Sequence, residues 1–170
     1  PNYDVDAQPA EWPTEVHLRP FLLARHELTQ GQWSRLRDSS QLPANPSQFP
    51  AGSPFMNRET ASEANPVELI TWNQANTLLL RHGMSLPTEA QWEFACRAGG
   101  YSPWSCLKQA LARHANLSDT SGKDRLTRPL EEWNDGHILH SAVGSFLANA
   151  YGFHDMHGNV AEWCADVFDA

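Results

Sequence analysis

The residues best suited to chemistry lie close together in one stretch, residues 151–163. It reads YGFHDMHGNVAEW and places two carboxylates, Asp155 and Glu162, on either side of the pair Gly158 and Asn159. Such a pair lets the backbone turn sharply and aim its carbonyl oxygens inward. Carboxylate and carbonyl oxygens are the ligands that hard cations such as Ca²⁺ prefer. The stretch therefore predicts either a cation site or a hairpin turn whose carboxylates face solvent.

Two pairs of histidines have the three-residue spacing of some transition-metal sites. His137 and His140 form one pair, and His154 and His157 form the other. That spacing brings two imidazoles together only on a helix, and both pairs lie in stretches without helical periodicity. We therefore expect surface or structural histidines. The sequence also lacks GxSxG, GxxxxGK and GxGxxG, so it predicts neither a serine-hydrolase nucleophile nor a phosphate-binding loop.

Composition limits the class of partner. At 170 residues the chain is long enough for one domain with its own core. A net charge of −8, without a run of Lys or Arg, makes nucleic acid an unfavourable partner. No segment approaches about 18 consecutive apolar residues, so neither a membrane span nor a signal peptide is predicted. The three cysteines are Cys96, Cys106 and Cys164, so at least one thiol is unpaired, and no two of them have CxxC spacing. The cysteines therefore leave the cellular location open.

Three short helices are predicted to position these residues. Each begins with a capping box, in which a Thr hydroxyl accepts from the third amide and a Gln side chain reaches back. The three pairs are Thr29 and Gln32, Thr71 and Gln74, and Thr88 and Gln91. Gly83 and Gly99 stand where a left-handed residue ends the second and third helices. The expected buried stripes are Trp33 and Leu36, then Trp72, Ala75 and Leu79, then Trp92, Ala95 and Cys96.

The rest of the chain predicts mostly irregular structure. Residues 1–14 are predicted to be an extended lead-in, 15–23 an edge strand with a bulge, and 67–70 a short strand. Two long stretches, 38–66 and 101–140, are predicted to be loops, the second held by Trp104 and Trp133. Seven Trp and twelve Pro also favour a loop-rich fold over a helical bundle.

Five segments resemble the formylglycine-generating enzyme family, also called sulfatase-modifying factors, and occur in the family's order. They are EVHLRPFLLARHELTQGQW, NPVELITWNQA, LPTEAQWEFACRAG, AVGSF and YGFHDMHGNVAEWCAD. The resemblance implies an α+β fold of the variant C-type-lectin kind, with small antiparallel sheets, about three short helices and much irregular structure. The domain would occupy residues 15–170. It would be incomplete at both ends, because the GxFxMG-like opening strand and the GGSW-like and GFR-like closing strands are not found.

The resemblance also implies two structural calcium sites. The first takes two carboxylates and two backbone carbonyls, from Asp155, Glu162, Gly158 and Val160. The second takes two side chains and two backbone carbonyls, from Asn116, Asp135, Leu117 and His137. This second set departs from the family pattern, because a long segment separates its halves and His137 replaces an aromatic or apolar residue.

The resemblance leaves three hypotheses for function. Family members that oxidise a sulfatase cysteine to formylglycine use a copper-binding cysteine pair near the C-terminus, whereas Cys164 matches a structural position for which burial or a disulfide is expected. The first hypothesis is a calcium-stabilised binding or regulatory module for a protein or peptide partner, with a second chain as one way to complete the fold. The second is the scaffold of a copper-dependent oxidase whose cysteine pair follows residue 170. The third is a lectin-fold ligand-binding receptor.

Overall fold

Three α-helices in the first hundred residues form the regular part of the fold. In the computed structural model, which describes residues 15–38, 41–54, 60–122 and 131–167, they are α1 (Gln30–Leu36), α2 (Trp72–Arg81) and α3 (Glu89–Arg97). Two 3-10 helices, Lys108–Arg113 and Thr120–Gly122, follow within a region that was predicted to be irregular. The predicted lead-in, residues 1–14, lies outside the described residues.

All three predicted capping boxes are formed. At α1 the Thr29 hydroxyl accepts from Gln32 N at 3.1 Å, and the Gln32 side chain accepts from Thr29 N at 2.9 Å. The same reciprocal pair of bonds opens α2 and α3. Gly83 and Gly99 are left-handed as predicted, with φ of 67° and 82°, but α3 turns left-handed one residue earlier, at Ala98.

The predicted antiparallel sheets are not formed by the described residues, which make only isolated bridges. The strand predicted at 15–23 is wrong, because Val16 is 54% exposed and Leu22 fully exposed, so the alternation has no buried face to hold a register. The strand predicted at 67–70 is also wrong, because Leu69 has φ of 58°, a left-handed conformation that interrupts extended pairing.

Among the described residues, two small apolar clusters form the core. The first packs α1 against α2 through Trp33, which is 1% exposed, and Leu78, which is completely buried. Leu78 therefore takes the place predicted for its neighbour Leu79. The second cluster joins Ala95 and Cys96 of α3 to Met156, in the stretch 151–163. Helix α3 is thus the support on which the candidate site rests.

Indole hydrogen bonds connect the loops where no sheet is present. Trp72 Nε1 donates to Cys164 O at 2.8 Å, and Trp163 Nε1 donates to Ile70 O at 2.9 Å. These two bonds join the start of α2 to the end of the stretch 151–163. Within the described part of the chain, no helix is long and apolar enough to span a membrane.

Candidate functional site

The stretch 151–163 folds into a tight loop with four left-handed residues, Gly152, Asp155, Gly158 and Asn159, at φ of 85°, 58°, 106° and 63°. Gly158 forms a parallel bridge with Asn116, and Asn159 N donates to Asn116 O at 2.9 Å. A Cβ atom on Gly158 would lie only 2.0 Å from Asn116 O. Only glycine allows this approach, so the residue brings the two predicted calcium segments into contact.

Asp155 is buried, so this one of the two carboxylates does not face solvent as the alternative of a simple turn requires. Asp155 is only 2% exposed, and its Oδ2 accepts a hydrogen bond from Gly144 N at 2.6 Å. The other oxygen, Oδ1, is buried and has no hydrogen-bond partner. Since buried polar atoms are nearly always satisfied, an orphaned carboxylate oxygen is the kind of atom that a bound cation would satisfy.

Glu27, which the sequence did not single out, belongs to the same site. The residue is 8% exposed, Oε1 accepts from Asn159 Nδ2 at 3.0 Å, and Oε2 is buried without a partner. Burial, then the charge of Asp155 and, more weakly, that of Glu162, raise the pKa of Glu27 to about 8. No local pattern marks Glu27, because its neighbours in this site lie more than a hundred residues further along the chain.

Glu162 completes a group of three mutually repelling carboxylates. The residue is exposed overall, but its Oε2 accepts from Trp92 Nε1 of α3 at 3.0 Å. Desolvation beside the indole raises the pKa of Glu162, and the charge of Asp155 raises it further, while the hydrogen bond from Trp92 lowers it. Among the described residues, no hydrogen bond is donated to the carbonyls of Gly158 and Val160, the other two predicted ligands.

The four residues of the second predicted site are also brought together, but their carboxylate is already satisfied. Asp135 Oδ2 accepts from Leu117 N at 3.1 Å, and Oδ1 accepts from His137 N at 2.8 Å. Burial raises the pKa of Asp135, and the charge of Asp119, a carboxylate that the sequence did not mark, raises it further. Asp119 is 1% exposed and accepts from Ser121 N and Asp135 N. This centre therefore fits a cation less well than the first.

Six of the eight predicted ligands line one open groove of about 720 Å³, namely Asn116, Leu117, Asp155, Gly158, Val160 and Glu162. Glu89 and Asp166 add two more carboxylates to its wall, and Trp92 and Met156 add apolar surface. Among the residues that the structure describes, no three side chains of His, Cys, Asp or Glu converge closely enough to hold a metal ion by themselves. A cation here would need backbone carbonyls as well.

The family model described as the sulfatase-modifying factor enzyme 1-like domain matches residues 2–170. This chain belongs to that family. The sulfatase-modifying-factor domain is 36% identical, over 112 residues, to the formylglycine-generating enzyme of Thermomonospora curvata, a match that covers 62% of this chain and 35% of that enzyme. It is 37% identical, over 109 residues, to the inactive C-alpha-formylglycine-generating enzyme 2 of Bos taurus, covering 62% and 34%.

The fold is shared with a solved structure. The structure of PvdO from Pseudomonas aeruginosa superposes with a TM-score of 0.72 at 26% identity, covering 99% of this chain and 66% of that one. The chain spans about a third of the length of the curated formylglycine-generating enzymes that it matches. Active and inactive relatives are equally similar to this domain, so likeness alone does not separate the two activities.

The cysteines of this sulfatase-modifying-factor domain are free thiols in settings that disfavour the thiolate. Cys96 is buried, and its Sγ lies 3.6 Å from Nδ1 of His157. Burial raises the pKa of Cys96 to about 11 and lowers the pKa of His157, and both shifts disfavour a thiolate–imidazolium pair. Burial also raises the pKa of Cys106 and Cys164.

The closely spaced histidines have separate partners. His157 Nε2 accepts from Ser105 N at 3.0 Å, whereas His154 Nδ1 lies 2.8 Å from Phe146 O. Trp104 packs edge-on against the His157 ring, with ring centroids 5.3 Å apart. These contacts hold the rings of His154 and His157 in place within the loop 151–163.

Proposed function

We propose that this sulfatase-modifying-factor domain is a calcium-stabilised binding module. One Ca²⁺ is held at the loop 151–163 by the carboxylates of Asp155 and Glu162 and the carbonyls of Gly158 and Val160. The observation that carries the proposal is the buried, unpartnered Oδ1 of Asp155. Leaving such an oxygen unsatisfied costs about 1–3 kcal/mol or more for a charged group, and a cation in the groove would offset that cost.

A second, weaker calcium site is proposed at Asn116, Leu117, Asp135 and His137. Each carboxylate oxygen of Asp135 already accepts one backbone amide and has further lone-pair capacity for an ion. We also propose the C-type-lectin variant of the fold, which is consistent with the loop-rich chain and the short helices.

The thermal midpoint of unfolding tests the calcium proposal directly. Calcium at 100 times its dissociation constant should add roughly 2.7 kcal/mol to the unfolding free energy. For a domain of this size that corresponds to a rise of roughly 5–11 °C over the value in EDTA. Magnesium at the same concentration controls for ionic strength, and an identical midpoint in calcium and in EDTA would contradict the proposal.

The groove favours a positively charged peptide as the partner. Two carboxylates that the proposed ion does not use line it, from Glu89 and Asp166, and the whole chain carries a net charge of −8. Complementary charge increases the association rate and excludes acidic partners. Fluorescence anisotropy with a labelled CxPxR-type peptide should show binding that weakens with salt, whereas a matched peptide with Glu in place of Arg should not bind. Equal binding of the two peptides would refute a charge-selected partner.

A copper-dependent oxidase scaffold is the second candidate, because of the 36% identity to a formylglycine-generating enzyme. In that case the redox step needs a copper-binding cysteine pair, whereas the three cysteines here are free thiols whose pKa is raised by burial. Incubation of a CxPxR-type peptide with copper and oxygen, followed by mass spectrometry, separates the candidates. We expect no conversion of cysteine to formylglycine by these 170 residues, and turnover by them would refute the binding module.

A further inference from the structure

Three aromatic side chains meet on the surface of α3, and none of them lines the groove. The ring centroid of Phe94 lies 5.4 Å from that of Tyr151 and 6.2 Å from that of Phe21. Phe94 and Tyr151 are 50% and 48% exposed, and Leu22, which follows Phe21 in the chain, is completely exposed. Single exposed apolar side chains are ordinary, whereas several in contact mark an interaction surface. We call this surface, formed by Phe21, Leu22, Phe94 and Tyr151, the aromatic face.

The fold holds the aromatic face in place. Asn149 connects the turn of Tyr151 to the end of α3, since its Nδ2 donates to Ala95 O at 2.8 Å and its Oδ1 accepts from Tyr151 N at 3.0 Å. The Tyr151 hydroxyl lies beside Gly99, where an added Cβ atom would be 3.0 Å from it. On the other side, Leu23 packs against the core cluster of α3 and anchors the segment that carries Phe21. A surface that is already ordered loses less conformational entropy when it binds a partner.

An exposed cation beside the aromatic face has no ion pair. Arg25 Nε donates to the carbonyl of Gly152, next to Tyr151, at 3.4 Å, and a terminal nitrogen of Arg25 lies 3.5 Å from His154 Nε2. Among the described residues, no carboxylate lies within 4 Å of the Arg25 guanidinium, whereas three other arginines each have such a partner. Both contacts of Arg25 are long, so its guanidinium keeps N–H groups for a carboxylate. In a chain with a net charge of −8, this is a local site of complementary charge for an acidic partner.

We propose that the aromatic face and Arg25 bind a peptide segment of a partner protein in which an aromatic or leucine side chain lies next to acidic residues. The apolar side chain packs against Phe94 and Tyr151, and a neighbouring carboxylate accepts hydrogen bonds from Arg25. Tyrosine and arginine are among the residue types that contribute most of the binding energy at protein interfaces. The preferred charge is opposite to that of the basic peptide proposed for the groove, so this is a second binding surface. It does not depend on the proposed calcium site.

Fluorescence anisotropy with a labelled peptide of sequence Glu-Asp-Trp-Leu-Glu-Asp tests the proposal. We expect saturable binding at low salt that weakens as salt is added, because the charges on both partners are exposed. A matched peptide with Lys in place of each acidic residue should not bind. An excess of unlabelled CxPxR-type peptide should not displace the acidic peptide, because the two occupy different surfaces.

Two variants and two matched controls locate the binding surface. Arg25→Gln should weaken binding of the acidic peptide roughly tenfold, because charge-assisted hydrogen bonds to a carboxylate are lost. Phe94→Ala should weaken it roughly fivefold or more, because the apolar contact is lost. Arg35→Gln removes the charge of a side chain that is 69% exposed, and Leu80→Ala shortens a residue that is 62% exposed. Both controls lie outside the aromatic face and should bind the peptide like the unmodified protein.

Each result decides the inference. It is overturned if the acidic peptide does not bind, if Arg25→Gln and Arg35→Gln bind it equally well, or if the CxPxR-type peptide displaces it. It is also overturned if sedimentation velocity shows a dimer that Phe94→Ala dissociates, since a second copy of the chain then covers the aromatic face. A thermal melt of each variant checks that it is folded, and Arg25→Gln, which changes an exposed side chain, decides the outcome even if Phe94→Ala is unstable.

Discussion

Replacing Gly158 with Ala should be among the most damaging single changes in the domain. A Cβ there would lie 2.0 Å from Asn116 O and 2.9 Å from Leu117 Cδ2. Because the nearer atom belongs to the backbone, no side-chain rotation can relieve the contact. The segments 116–117 and 158–159 must separate, which breaks the 2.9 Å bond from Asn159 N to Asn116 O.

The expected loss of unfolding free energy has two parts, one from the close contact and one from the left-handed backbone. Overpacking costs about 1–3 kcal/mol, and the lost hydrogen bond costs about 1 kcal/mol. The left-handed backbone, with φ of 106°, adds about 1–3 kcal/mol for any residue with a Cβ. Gly152 separates the two parts, because its φ is 85° and nothing lies within 4 Å of an added Cβ. Gly152→Ala should therefore show the backbone cost alone.

Urea unfolding followed by tryptophan fluorescence in EDTA measures both variants. We expect Gly158→Ala to lose about 2–4 kcal/mol of unfolding free energy beyond the loss of Gly152→Ala. Calcium should restore less stability to Gly158→Ala, because the ligand segments no longer meet. Equal losses for the two variants would refute the argument that close backbone approach requires glycine at this position.

Three further outcomes are expected. In EDTA, burial and then the charges of Asp155 and Glu162 raise the pKa of Glu27 to about 8. The contribution of protonated Glu27 to the unfolding free energy is therefore complete below pH 4.5 and is lost as the pH rises through 8. The unfolding free energy should fall by about 1.4 kcal/mol per pH unit relative to Glu27→Gln, and parallel pH profiles would contradict this. Iodoacetamide at pH 8 should modify Cys106 and Cys164 before Cys96, which peptide mapping can check, because Cys96 is 6% exposed with a pKa near 11. Thr88→Ala should lower the unfolding free energy by about 1 kcal/mol and Thr88→Ser by much less; an unchanged value for Ala would show that the cap of α3 is dispensable.

Local chemistry explains why the helices were predictable. Each capping box, such as Thr88 and Gln91, depends on atoms three residues apart, so its signal is present in the sequence itself. The loop 151–163 was predictable for the same reason, since its acidic residues and its Gly-Asn pair are neighbours. The buried stripe of α2 was wrong by one position, with Leu78 completely buried instead of Leu79, because packing against Trp33 decides which face turns inward.

The parts that sequence reasoning missed depend on contacts between distant segments. Glu27 meets Asn159 across 132 residues, and Asp119 meets Asp135 across a segment with no periodic pattern. The strand predicted at 67–70 does not form because Leu69 is left-handed. The strand predicted at 15–23 does not form because its alternating residues, such as Leu22, are exposed and have no buried face. Alternating hydrophobicity does not show whether a partner strand is available.

The described residues pair only through isolated bridges, so single hydrogen bonds hold the groove together, and several of them lie at the candidate site. Indoles supply several of them, including Trp92 to Glu162 and Trp72 to Cys164 O. The carboxylates Glu27, Asp155 and Glu162 act against this arrangement, because each repels the others. A divalent cation at the proposed calcium site would offset part of this repulsion. Removing the ion should therefore loosen the groove before it affects the capped helices, which are stabilised locally.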